Sequence, residues 1–77
     1  MIKLKDILIE KTIRYNEKDV KKYNSMVKRN KLVAFETSNG RKFSWSEDSD
    51  KEVVIGIDQD GGDHEFNHDE VSYILIF

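Results

Sequence analysis

The chain has 77 residues, 38% apolar and 36% charged, with no cysteine, no proline and a formal net charge of −2. That describes one small domain, residues 1–77, with one modest core. It excludes disulfides and thiolate zinc sites, and the scarcity of glycine and proline argues against a linker or low-complexity chain. No stretch reaches the roughly 18 apolar residues of a membrane helix. The start, Met1–Ile9, lacks the long apolar core and small-residue cleavage site of a secretory signal. A soluble, cytoplasmic protein is expected.

The net charge conceals a division. Residues 1–42 carry twelve Lys/Arg and five Asp/Glu, while residues 43–77 carry Lys51 against ten carboxylates. The ten are Glu47, Asp48, Asp50, Glu52, Asp58, Asp60, Asp63, Glu65, Asp69 and Glu70. Such a block speaks of partners more than of fold.

In chain order, residues 2–15 fit two patterns. Ile7, Ile9, Ile13 and Tyr15 share strand parity, interrupted by Lys11, whereas Leu4, Ile7 and Leu8 also suit a helix. The strand, over 7–14, is the reading adopted. Residues 17–29 read as a helix: Asn16 is an N-cap, Glu17 and Asp19 suit the first turn, and Val20, Tyr23, Met26 and Val27 form one apolar stripe. Lys28 and Arg29 suit the C-terminal end, and Asn30 is a stop signal.

The remainder reads as strands. Residues 32–37 and 41–46 flank Asn39-Gly40, the strongest short hairpin signal. After the polar turn 47–51 comes an apolar strand over 53–57, read as central. A second turn, 60–63, leads to a short strand over 64–67, and residues 71–77 close the chain as a strand, either an exposed edge or fully buried. The expected fold is α+β: one helix at about 17–29 and a small curled antiparallel sheet. With Val33-Ala34-Phe35 before Asn39-Gly40, the run Val53–Ile57 and the closing Asp69-Glu70-Val71-Ser72-Tyr73-Ile74, residues 20–77 resemble SH3-like and Sm-like small barrels.

Three constellations bear on chemistry. His64-Glu65-Phe66-Asn67-His68 matches H-E-x-x-H, which in zincins needs a helix to bring both histidines to one metal, with the glutamate activating water. Gly61-Gly62 before it and a hairpin pattern around it oppose a helix, so a zinc-dependent enzyme using His64, Glu65 and His68 ranks third among the functional readings. Residues 58–69 depart from an EF-hand loop at three positions and lack flanking helices, so a solvated acidic turn is expected. Lys18, Lys21, Lys22, Lys28, Arg29, Lys31, Arg41 and Lys42, near Tyr15 and Tyr23, make a nucleic-acid-binding or assembly module the second reading, against the plain alternative of a solvated helix face. With no nucleophile motif, Walker loop or dinucleotide fingerprint, a non-enzyme without cofactor or metal is expected.

The carboxylates are the leading candidate. Alternate side chains on a strand lie roughly 6.6 Å apart, close to the spacing of neighbouring phosphates, so acids held at turns and strand ends can imitate a phosphate row. The same acids also serve solubility. In size, composition and these acidic residues, the chain resembles phage-encoded host-takeover proteins, among them DNA mimics that block the histone-like protein HU and anti-CRISPR proteins that block nuclease effectors. That resemblance implies an inhibitor in the cytoplasm of an infected bacterium, bound to a basic host protein and not to nucleic acid itself. Reversal of Asp48, Asp50, Asp58 and Asp60 to Lys is then expected to abolish binding and leave the fold intact.

Overall fold

The computed structural model describes residues 11–77. The expected strand before Lys11, and the alternative helix through Leu4, Ile7 and Leu8, lie outside the described residues. Within them the chain builds one helix and a six-stranded, fully antiparallel sheet, an α+β arrangement. The strands are β1 (Lys11–Arg14), β2 (Val33–Thr37), β3 (Lys42–Trp45), β4 (Val54–Ile57), β5 (Asp63–Phe66) and β6 (Val71–Ile76), in the order β1-β6-β2-β3-β4-β5.

The expected helix divides into two pieces. Glu17–Asp19 form a 3-10 turn, capped by the Asn16 side chain, which accepts from the Lys18 N–H at 3.0 Å. The α-helix α1 then runs Val20–Lys28. It ends because Asn30 adopts φ 64°, a left-handed conformation that asparagine tolerates, and the Lys31 N–H returns to the Met26 carbonyl. The apolar stripe works as the spacing predicts: Val20 and Tyr23 are buried, and Met26 and Val27 pack against the core.

Asn39-Gly40 turns the chain between β2 and β3, with Gly40 at φ 85°. The closing strand is no edge. β6 lies between β1 and β2 and pairs with both, across a register shift at Glu36/Thr37. Strand β4 is interior, as expected, between β3 and β5.

The sheet is strongly curled. Strands β2 and β5 are three ladder steps apart, about 14 Å in a flat sheet. Yet the Phe35 ring on β2 and the Phe66 ring on β5 meet edge to face, centroids 5.5 Å apart. The concave side holds Phe35, Phe43, Trp45, Val54, Val71 and Ile74, and α1 covers it with Tyr23, whose ring meets Trp45 at 5.2 Å. Gly56 is required in this bend, since a Cβ there would lie 2.6 Å from Cζ of Phe35. The curl stops short of closure: among the described residues β1 and β5 do not pair, so the ladders form an open sheet and not a closed barrel.

Candidate acidic interaction surface

The β3–β4 connection, residues 46–53, is polar yet firmly held. Ser46 and Ser49 are buried. The Ser49 hydroxyl accepts from the Ile55 N–H at 2.8 Å, and the Ser46 hydroxyl accepts from the Asp48 N–H at 3.2 Å. Asn24 of α1 fastens the loop from the helix side. Its amide donates to the Ser49 carbonyl at 2.9 Å and accepts the Trp45 indole N–H at 2.7 Å. At the tip, the Asp50 carboxylate accepts from the Glu52 and Val53 N–H groups at 2.8 and 3.0 Å. Those two bonds, with His68 nearby, hold its pKa below the ordinary carboxylate value.

The β4–β5 turn is built around Asp58. Its carboxylate accepts from the Asp60 and Gly62 N–H groups at 2.9 and 2.8 Å and meets His64 Nε2 at 2.7 Å. The His64 bond, then the Gly62 N–H, draws its pKa down. Gly61, at φ 87°, supplies the left-handed residue.

These bonds separate the ten carboxylates into two kinds. Asp50 and Asp58 are structural, each satisfying backbone donors. Reversing them would break the turns, so the expectation that all four reversals leave the fold intact does not hold for these two. The others are exposed at the side chain and form no ion pair with a described residue: Glu47, Asp48, Glu52, Asp60, Asp63, Glu65, Asp69 and Glu70.

The two loops do not sit side by side. They occupy opposite ends of the four-residue β4, about 10 Å apart. Between them runs β5, where Asp63 and Glu65 are exposed and share one face, while His64 and Phe66 turn inward. The acids thus follow the outline of the β4–β5 hairpin: Asp58, Asp60 and Asp63 at one end, Glu65 along the strand, and the 47–52 loop at the other. Asp69 and Glu70 lie in the 3-10 turn His68–Glu70. His68 docks that turn on the 47–52 loop, donating from Nε2 to the Lys51 carbonyl at 2.8 Å. Glu70 is anchored differently, its carbonyl accepting from the Ser38 N–H at 2.9 Å.

The H-E-x-x-H segment is strand and 3-10 turn, not helix. His64 is engaged with Asp58, and both ring nitrogens of His68 are occupied, Nε2 by Lys51 and Nδ1 by the Tyr15 hydroxyl. The carbonyl of Lys51 only accepts, so His68 carries a proton on Nε2, and in the neutral ring Nδ1 is then the acceptor of the Tyr15 O–H. Burial, followed by the nearby Tyr23 and Glu17, pushes the Tyr15 hydroxyl well above its ordinary pKa, so it remains a donor. Among the described residues no three His, Asp or Glu side chains converge on a metal position.

Among the described residues the basic side chains do not form a separate half. Lys18 and Lys21 line a groove of about 750 Å³ together with Ser49, Asp50 and Lys51, and Lys28 borders a second groove with Glu47 and Asp48. Arg41 lies 5.0 Å over the Phe43 ring, and Lys42 pairs with Glu36 at 3.5 Å. The charge division of the sequence is therefore folded back on itself, helix beside acidic loop.

Sequence reasoning missed the residues that hold this surface: Asn24, Ser46, Ser49 and Tyr15. Ser46 and Ser49 spaced around acids was the available signal, since short polar side chains bond backbone in turns. Asn24 gave none, because its two partners are 21 and 25 residues away. No helix among the described residues is long and apolar enough to cross a membrane. No protein-family model, curated protein or solved structure matches this chain.

Proposed function

We propose that this protein is a non-enzymatic inhibitor whose acidic hairpin occupies the DNA groove of a basic host protein, a histone-like HU or a nuclease effector. The observation that carries the reading is the β5 edge. Asp63 and Glu65 stand exposed on one face at phosphate-like spacing, flanked at both ends by carboxylates on hydrogen-bonded loops. A pinned array of this kind keeps its geometry on binding and loses little entropy. The five strands in the order β6-β2-β3-β4-β5, preceded by a helix, support an SH3- or Sm-like scaffold beneath it. The setting is the cytoplasm of a bacterium infected by the phage that encodes it.

The test is competition. Purified HU is bound to a labelled DNA duplex, and the protein is titrated in. Release of DNA is expected, weakening several-fold or more between about 50 and 200 mM salt as ion contacts are screened. A pull-down from bacterial lysate, eluted by a salt step, supplies nuclease effectors for the same assay. Reversal of Asp60, Asp63 and Glu65 to Lys, which spares Asp50 and Asp58, is expected to abolish competition while the far-ultraviolet spectrum stays unchanged. Undiminished competition by that folded variant sinks the proposal. Direct DNA binding by the isolated protein transfers the function to the Lys/Arg residues.

A further inference from the structure

We infer that copies of this chain associate head to tail, strand β1 of one copy adding to strand β5 of the next. Among the described residues these are the two ends of the sheet, each paired on one side only. Each presents four described residues to a neighbour, Lys11–Arg14 and Asp63–Phe66. They are opposite in charge: β1 exposes Lys11 and Arg14, and β5 exposes Asp63 and Glu65.

The ladder registers show how they would fit. Opposite Tyr73 and Leu75 on the outer face stand Arg14 and Thr12, while Ile13 shares the concave face with Ile74. On β5, Asp63 and Glu65 take the outer face beside Ile57 and Ile55, and His64 and Phe66 the concave face. An antiparallel addition that keeps these faces sets Arg14 opposite Asp63, Thr12 opposite Glu65 and Ile13 opposite His64. Arg14 also reaches Glu65 on the diagonal. Backbone bonds supply attraction, and the charges choose the partner strand.

The same charges exclude the symmetric alternatives. β5 against β5 with the faces kept would set Asp63 opposite Glu65, which is unfavourable, and β1 against β1 would gather Lys11 and Arg14 of both copies with no acid between them. Direction agrees too. Six strands of alternating direction end in β1 and β5 running oppositely. An antiparallel β5–β1 contact therefore leaves successive copies in one orientation, a heterologous contact that repeats as a ring or an open chain. The inference does not depend on the DNA-mimic reading, although both use the β5 edge and self-association would compete with a basic partner for it.

Sedimentation velocity of the full chain at low salt tests it with no other protein present. Mass is expected to rise with concentration up to about 1 mM, the weak end of specific affinity, and to fall back to the monomer with added salt. Arg14→Glu alone and Asp63→Lys alone are each expected to remain monomeric, since each sets like charges opposite one another where Arg14 would meet Asp63. An equimolar mixture of the two single variants restores complementary edges and is expected to reassociate, as is the double variant carrying both changes. A wild-type monomer at every concentration overturns the inference, as does association that survives either single reversal or is not restored by the mixture.

Discussion

Gly56→Ala isolates the packing that makes the sheet curl. The added Cβ would stand 2.6 Å from Cζ and 3.0 Å from Cε1 of Phe35, and 2.8 Å from Cβ of Phe43. Neither neighbour gives way easily. Phe35 is fully buried, its ring boxed by Phe43 at 5.8 Å, Trp45 at 5.9 Å and Phe66 at 5.5 Å. The Phe43 contact is at its Cβ, so relief there requires β3 to move. Overpacking of this kind costs about 1–3 kcal/mol, and the rigid neighbours place the expected loss near the upper end. For a domain of this size each kcal/mol lowers Tm by roughly 4–8 °C, so a fall of roughly 8–20 °C is expected. Urea unfolding followed by Trp45 fluorescence measures it, with the midpoint falling and the slope unchanged. Gly61→Ala is the contrast: no atom lies within 4 Å of its Cβ, so its cost comes only from the backbone at φ 87°. A Gly56→Ala stability within about 0.5 kcal/mol of wild type would refute the reasoning, because it would mean the Phe35 ring has room to retreat.

Asn24→Ala removes the acceptor of the Trp45 indole and the donor to Ser49, leaving two part-buried groups unmatched. A loss of about 1–3 kcal/mol is expected, with faster amide exchange confined first to residues 46–53. Tyr15→Phe deletes the donor to His68 Nδ1 and is expected to cost about 1 kcal/mol in urea unfolding, loosening the 68–70 turn from β1. Asp50 and Asp58 have native pKa values below their ordinary 3.8. The native state holds their protons less tightly than the unfolded chain, so their stabilisation is complete above the unfolded value and is lost as pH falls through the lower native ones. The urea midpoint is expected to drop below about pH 4, and Asp58→Asn should flatten that drop; an equally steep fall in this variant would remove Asp58 as a cause.

Much of the fold was legible because it depends on neighbours in the chain. The Asn16 cap, the Val20/Tyr23 stripe, the Asn30 stop and the Asn39-Gly40 hairpin each rest on interactions within a few residues, and those the sequence displays directly. The ten carboxylates were visible for the same reason. What they do was not. The backbone bonds of Asp50 and Asp58 are local turn chemistry that the sequence reading overlooked, but only the tertiary structure shows that β4 holds the two acidic loops apart and that the basic helix lies against one of them. Ladder order is equally non-local: nothing in residues 71–77 reveals that β6 slots between β1 and β2, since that choice is made by strands roughly 40 to 60 residues earlier. The H-E-x-x-H pattern makes the point in one motif. Its spacing is a property of sequence, but its meaning depends on periodicity in space. On a helix, residues four apart share a face one turn up. Here the strand ends at Phe66 and a 3-10 turn begins at His68, sending His64 to Asp58 and His68 to Tyr15 and Lys51. Sequence alone determined which side chains are acidic, apolar or turn-forming. The long-range packing of Phe35, Trp45 and Asn24 decided which of them stay exposed and which are needed to hold the protein together.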